Sequence, residues 1–196
     1  MPRAKTNPDK SDKAERIAKV IARAGLCSRR EAERWIAEGR VILDGKILDT
    51  PAVTVTAANQ IVVDGEPLPG AEKQKVWRYH KPAGLLTTHN DPEGRPNLFD
   101  SLPPEMPRVI SIGRLDLSSE GLLLLTNDGD LARELELPAS GWLRRYRVRV
   151  HGRPDEKTLS SLANGVTVDG IRYKSIQAEL DRQQGANAWL TVSLIE

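Results

Sequence analysis

The sequence predicts an α+β protein in which a small helix-helix-sheet module precedes a mixed, mostly antiparallel sheet domain with flanking helices. Three observations indicate this class. Apolar residues near the start recur at helical spacing, Asp-Gly pairs separate short apolar runs, and a later segment alternates arginine with apolar residues. The 196 residues are 39% hydrophobic and 29% charged, a composition typical of globular proteins.

The front of the chain predicts two short helices after a polar start. Residues 1–13 contain no apolar period, so we expect a disordered basic tail there. A first helix is predicted from Glu15 to about Gly25, with its apolar residues at helical spacing. Ser28 and Glu31 form a capping-box pair, which predicts a second helix ending near Gly39, with Trp35 and Ile36 in its core face.

Turn signals predict the remaining elements. Asp44-Gly45 and Asp64-Gly65 each follow a short apolar run, which is typical of antiparallel hairpins. After a linker over 67–75, a strand is expected to break at Pro82, and a long proline-rich loop follows that we expect to be functional. Further predictions are an apolar strand over 122–125, a helix from Asp130, a half-buried strand over 145–150, a helix over 154–163, a hairpin at Asp169-Gly170 and a last strand over 189–196.

Composition excludes several classes of protein. No stretch approaches the ~20 apolar residues of a membrane span, and the first residues lack the apolar core of a secretory signal. The single cysteine, Cys27, cannot form an internal disulfide, and three scattered histidines predict no metal site. We therefore expect a cytoplasmic protein without a membrane partner.

Charge is unevenly distributed along the chain. Residues 1–40 carry 11 Lys plus Arg and 6 Asp plus Glu, whereas residues 41–196 carry 18 and 21. The second predicted helix places Arg29, Arg30 and Arg34 around its first turns, where guanidinium groups could hold RNA phosphates. The alternative is a solvated helix whose glutamates neutralise the arginines.

The segment AERIAKVIARAGLCSRREAERWIAEGRVILDGKIL resembles an S4-like RNA-binding domain, which we place at residues 14–66. The resemblance implies RNA contacts by Ser28, Arg29, Arg30 and Arg34, and Lys19 could extend that face.

The segment GRLDLSSEGLLLLTNDG, residues 113–129, resembles the signature of ribosomal RNA pseudouridine synthases, and KPAG, DPEGRP and WLRRYRVRVHG are similar to flanking family segments. The resemblance predicts a catalytic domain over 76–196 that converts one uridine of ribosomal RNA, in the large-subunit branch, to pseudouridine. It implies Asp116 as the catalytic aspartate, Tyr146 beside the target base, and Arg114 assisting the base to leave the helix. No cofactor is expected, and the partner would be ribosomal RNA or a pre-ribosomal particle bound by a monomer.

The chemistry of these residue types agrees with that role. An ionised carboxylate can attack the anomeric carbon of a ribose or act as a base beside it, and an aromatic ring can stack on a flipped base. We expect Arg114 to pair with Asp116 at the edge of a dry cleft, and Tyr146 to act beside phosphate contacts from Arg145, Arg147 and Arg149.

Other interpretations remain open at this point. Read alone, Asp116 could cap a turn, Tyr146 could be a core residue, and the arginines could form a solvated strand face. The rival functions are a non-catalytic S4-type RNA-binding or ribosome-assembly protein, a synthase acting on small-subunit RNA, and a nucleoside hydrolase or glycosylase. Family members continue past a strand such as VSLIE into a basic segment, so we expect a chain shortened at its C-terminus.

Overall fold

The computed structural model describes residues 14–195, and the chain divides between Arg133 and Glu134 into two compact units. The predicted disordered tail over 1–13 lies outside the described residues. The division into an S4-like module over 14–66, a linker over 67–75 and a domain over 76–196 stays a prediction. Among residues 14–195, none of the helices combines the length and the apolar composition that a membrane span requires.

Two short helices open the first unit. Helix α1 (Ile17–Arg23) begins two residues later than predicted, because strand β1 (Glu15–Arg16) pairs with β4 (Thr54–Val55). Helix α2 (Arg29–Ala37) begins as predicted, with the Ser28 hydroxyl accepting a hydrogen bond from the Glu31 backbone N–H at 3.1 Å. The two helices bury their apolar faces in a shared core that includes Cys27 and the predicted core residue Ile36, with Trp35 partly buried against it.

A four-stranded antiparallel sheet completes that core. Its strands run in the order β3-β2-β5-β6, with bounds β2 (Val41–Leu43), β3 (Lys46–Ile47), β5 (Ile61–Val63) and β6 (Glu66–Pro67). At both predicted turns the Asp and the Gly have positive φ, from 48° at Asp44 to 86° at Gly65. This is the backbone of the type I′ turn that the Asp-Gly pairs predicted.

A second, three-stranded antiparallel sheet in the first unit contains the central strand β9 (Gly121–Thr126), between β7 (Val76–Lys81) and β8 (Ile110–Ile112). Strand β7 ends directly before Pro82, as predicted. One face of the sheet buries Leu123 and Leu125 against Leu98 and Val109 of the long connection. That connection therefore forms a structural layer over the sheet, in addition to any functional role.

Helix α3 (Gly129–Glu136) contains the division between the units. It follows the turn at Asn127–Gly129, and the Asp128 carboxylate caps it by accepting from the backbone N–H groups of Asp130 and Leu131.

The second unit is built on a three-stranded antiparallel sheet in the order β10-β14-β13. Its elements are β10 (Arg144–His151), α4 (Glu156–Ser161), the hairpin β11 (Val166–Val168) and β12 (Ile171–Tyr173), β13 (Gln177–Gln184) and β14 (Asn187–Leu194). The hairpin at Asp169-Gly170 is confirmed. Strand β13 was missed, because its sequence QAELDRQQ is largely polar and lies at a sheet edge, exposed on most of its length.

Candidate functional site

The loop between β8 and β9 carries Asp116. Its backbone turns at this residue, since the Ser119 N–H donates to the Asp116 carbonyl at 3.0 Å. The Asp116 side chain is exposed and lines an open cavity of about 520 Å³. The other walls come from the same loop and from the connection after β7: Leu86, Thr87, Thr88, Arg114, Leu115 and Leu117.

Lys81 fixes this loop from beneath. Its side chain is fully buried, and its ammonium group donates to the backbone carbonyls of Pro82, Asp116 and Ser119 at 3.1, 3.0 and 2.8 Å. Sequence reasoning gave Lys81 no role beyond its place in KPAG. The available signal was the period-two alternation of β7, which places Lys81 on the buried face with Trp77 and Tyr79.

Two further contacts hold the residues on either side of Asp116. The Thr87 hydroxyl donates to the Leu115 carbonyl at 2.7 Å and lies 3.3 Å from the Leu115 N–H. The Gly84 N–H donates to the Leu117 carbonyl at 2.7 Å. Three consecutive residues of the loop are therefore held through their backbones, which leaves the Asp116 carboxylate available to a ligand in the cavity.

The expected pairing of Arg114 with Asp116 is not formed. Both side chains are exposed at the cavity, and in the described part of the chain no Arg114 nitrogen lies within 4 Å of the Asp116 carboxylate. The expectation of a carboxylate at the edge of a dry cleft was also wrong, because the cavity is open. The physical reason is that Lys81 and the KPAG segment hold the loop by its carbonyls and do not enclose its side chains.

Tyr146 lies on β10 in the second unit, and 53% of its surface is exposed. It shares one face of that strand with Val148 and Val150, whereas Arg145, Arg147 and Arg149 lie on the opposite face, because side chains alternate along a strand. The predicted combination of one aromatic ring and three phosphate contacts around a single nucleotide is therefore divided between two faces of the sheet.

The predicted RNA contacts of the first module differ in their surroundings. The hydroxyl of Ser28 is used as the cap of α2. Arg34 pairs with Glu31 and, at 3.5 Å, with Glu38, which is the neutralisation that the solvated-helix interpretation described. Arg30 is exposed and has no carboxylate within 4 Å among residues 14–195.

Lys19 and Arg29 face a carboxylate from α3. The Lys19 ammonium lies 2.6 Å from Asp130 and 2.6 Å from Glu15, and the Arg29 guanidinium lies 3.9 Å from Asp130. Burial by itself raises the pKa of Asp130, but the hydrogen bond from Lys19 and the charges of Lys19 and two arginines outweigh burial and lower it overall. Two predicted RNA contacts are thus occupied by an internal anion.

Comparison with known proteins gives matches along nearly the whole chain. Residues 15–66 match the S4 domain family, and residues 75–195 match the RNA pseudouridylate synthase family. An uncharacterized RNA pseudouridine synthase of Rickettsia felis is 48% identical over 182 residues, which cover 93% of this chain and 79% of that protein.

Two further similarities are informative. The ribosomal large subunit pseudouridine synthase B of Salmonella typhi is 44% identical over 191 residues, covering 93% of this chain and 65% of that protein. A crystal structure of a pseudouridylate synthase superposes with a TM-score of 0.53 at 25% identity, covering 90% of this chain and 76% of that one.

Proposed function

Because the chain belongs to the RNA pseudouridine synthase family, we propose that it converts a specific uridine of large-subunit ribosomal RNA to pseudouridine. The observation that carries this proposal is the exposed Asp116 carboxylate at the wall of a 520 Å³ cavity, on a loop whose backbone Lys81 holds in place. The large-subunit preference comes from the similarity to the Salmonella enzyme.

The reaction requires that the bond from C1′ of the ribose to N1 of the base breaks and that a bond from C1′ to C5 forms. The hydrogen on C5 is lost and N1 gains a proton, so the net change is an isomerisation that consumes no co-substrate. A carboxylate such as Asp116 can attack C1′ or act as a base and electrostatic partner at the ribose. The hydrogen bonds from Lys81 to the loop favour either role, because the backbone that carries the carboxylate need not be ordered when substrate arrives.

We propose roles for the other predicted site residues as well. We propose that Arg114, at the same cavity as Asp116, assists the target base in leaving the helix, and that the Tyr146 ring stacks on that base. Ser28, Arg29, Arg30, Arg34 and Lys19 would contact RNA through the S4-like module, and Arg145 and Arg147 through the second unit. A monomer acting in the cytoplasm stays a prediction.

Tritium release tests the proposed function directly. The chain is incubated with large-subunit ribosomal RNA transcribed with uridine tritiated at C5, and nuclease digestion then identifies pseudouridine. A non-catalytic RNA-binding protein would release no tritium, and a glycosylase would release free uracil. A small-subunit transcript distinguishes the two branches of the family. Absence of pseudouridine from both transcripts would contradict the proposal.

Replacement of Asp116 by Asn tests the assignment of the catalytic group. We expect turnover to fall by ~10³-fold or more, equivalent to ~4 kcal/mol of transition-state stabilisation, while RNA affinity stays within about twofold, because the carboxylate acts on the sugar and not on phosphates. Glu120→Gln is the matched control, since it removes an exposed carboxylate from the same loop. Pseudouridine formation at the wild-type rate by Asp116→Asn would refute the assignment.

A further inference from the structure

The face of the β10-β14-β13 sheet opposite Tyr146 carries a row of residues that no catalytic role uses. In the register of the sheet, Arg149 of β10 lies opposite Trp189 of the central strand β14. On the other side of β14, Arg182 of β13 lies opposite the same Trp189. Arg147 lies two residues from Arg149 on the same face. We call this surface the arginine face: Arg145, Arg147, Arg149, Arg182 and Trp189.

Two guanidinium groups lie over the indole ring of Trp189, one from each neighbouring strand. The Cζ atoms of Arg147 and Arg182 lie 5.1 and 5.8 Å from its ring centroid. The Arg147 side chain is also held by the Asp181 carboxylate at 3.3 Å, and that carboxylate accepts from the Thr191 hydroxyl at 2.8 Å. The central part of the surface is therefore ordered before any ligand binds.

The charge of this face is positive, and much of it is unpaired. The face carries four guanidinium groups, and the negative charges beside them are the carboxylates of Glu179 and Asp181. Arg149 and Arg182 are exposed and have no carboxylate within 4 Å in the described part of the second unit. Side chains of this kind are complementary to a polyanion, and their planar ends can also stack on bases.

We propose that the arginine face is a stacking surface for unpaired nucleotides of the RNA, with Trp189 as its centre. The indole ring on the central strand, with guanidinium groups from both neighbouring strands over it, offers planar groups for a base and cations for phosphates, which are the two requirements of single-stranded RNA. Since Tyr146 lies on the other face of β10, this surface holds nucleotides other than the one that Tyr146 would contact. The inference rests on the proposed function, which supplies RNA as the polyanion.

Loss of the two unpaired guanidinium groups tests the phosphate contacts. The full chain with Arg149→Gln and Arg182→Gln is compared with an Arg153→Gln/Lys157→Gln control, which removes two exposed cations of the same unit outside the sheet. Binding to a short oligouridine is followed by fluorescence anisotropy over a range of salt concentrations. We expect the slope of log K against log salt to fall by about 1.4 in magnitude, because each lost contact to a single strand contributes ~0.7. An equal slope in both variants would overturn the proposal.

Two variants of Trp189 test the stacking. Trp189→Leu removes the ring and should weaken oligouridine binding about thirtyfold, the middle of the range for one stacked base, whereas Trp189→Phe keeps a ring and should restore most of the affinity. Equal affinities for Trp189→Leu and wild type would contradict the proposal. Circular dichroism verifies folding of each variant. If Trp189→Leu does not fold, the salt slope of the Arg149→Gln/Arg182→Gln variant decides whether the arginine face binds RNA.

Tritium release separates this inference from the proposed function. If the wild-type chain forms pseudouridine while the arginine variant binds oligouridine as its control does, the proposed function holds and the arginine face is wrong. If the wild-type chain forms no pseudouridine but the arginine variant has a smaller salt slope than its control, the surface is an RNA contact of a protein with another activity.

Discussion

Lys81 is the residue that joins the core of the first unit to the candidate catalytic loop. Its ammonium group is buried with no carboxylate within 4 Å among residues 14–195, and three backbone carbonyls offset the cost of removing it from water. Two of these carbonyls belong to Asp116 and Ser119, 35 and 38 residues away in the chain. A buried lysine thus positions the backbone of the residue that we propose acts on the ribose.

Lys81→Met tests this positioning role. The substitution keeps an unbranched side chain of similar length and removes all three donors, so we expect a loss of about 3 kcal/mol in the free energy of unfolding, measured by urea titration. Pseudouridine formation by the folded variant should also fall, because the loop loses its support. Lys46→Met, on an exposed strand, is the control, and an unfolding free energy equal to that of the control would contradict the role of Lys81.

The long connection between β7 and β8 shows how an irregular element can be both structural and functional. Leu98 and Val109 pack against the buried face of the sheet, while Thr87 and Thr88 line the cavity beside Asp116. Between them, DPEGRP is closed by Asp91, whose carboxylate accepts from the side chain and the backbone N–H of Arg95. These hydrogen bonds from Arg95, the side-chain bonds first, lower the pKa of Asp91 to about 2.

The pH dependence of unfolding should report this closure. An unfolded aspartate has a pKa of about 3.9, so the unfolded state binds the proton first as the pH falls. The contribution of Asp91 to stability is therefore complete above the unfolded pKa and is lost as the pH falls toward 2. Asp91→Asn should remove this part of the pH dependence in urea titrations, whereas Asp49→Asn, at an exposed position, should keep it. Identical pH profiles for the two variants would count against the assignment.

Asp130, at the start of α3, forms ion pairs with Lys19 and Arg29, which are two of the predicted RNA contacts of the S4-like module. Asp130→Asn should release Arg29 and leave Lys19 paired with Glu15, and we expect RNA affinity to rise about twofold to fivefold, the range for exposed ion pairs. Anisotropy with a fragment of large-subunit ribosomal RNA measures the change. Glu134→Gln, which removes an exposed charge from the same helix, controls for net charge. An affinity no higher than that of Glu134→Gln would count against an RNA contact by Arg29.

At the scale of the whole molecule, charge is unevenly distributed along the chain. The first 40 residues carry a balance of +5 and the remaining residues a balance of −3, so we expect the front of the chain to attract a polyanion. Within the second unit, positive charge is concentrated on one face of a sheet that has an apolar opposite face. Net charge alone, at +2, would predict neither surface.

Combined replacement of Arg29, Arg30 and Arg34 by Gln tests the front surface. We expect the slope of log K against log salt for ribosomal RNA to fall by about 1 to 2 in magnitude, less than three full contacts would give, because Arg34 already pairs with Glu31 and Glu38. Most of the effect should appear in Arg30→Gln alone. A slope unchanged in the triple variant would remove the S4-like module from the RNA interface.

Local signals were sufficient for much of the fold and for part of the site. Asp-Gly pairs located three hairpins, Ser28 and Glu31 located the start of α2, and the family resemblance placed Asp116 in a loop before an apolar strand. These features depend on residues close together in the chain, whose conformational preferences act before any tertiary packing. Strand β13 was not predicted, because an exposed edge strand has no apolar period to detect.

Contacts between distant residues required the packed structure. The bonds from Lys81 to the Asp116 loop, the pairing of Lys19 with Asp130 and the row from Arg149 through Trp189 to Arg182 join residues that no local pattern relates. The order of residues dictated which side chains were available and on which face of a strand each would lie. Which of them meet depends on how helices and sheets close over a shared core, because burial and pairing are set by partners that packing brings together.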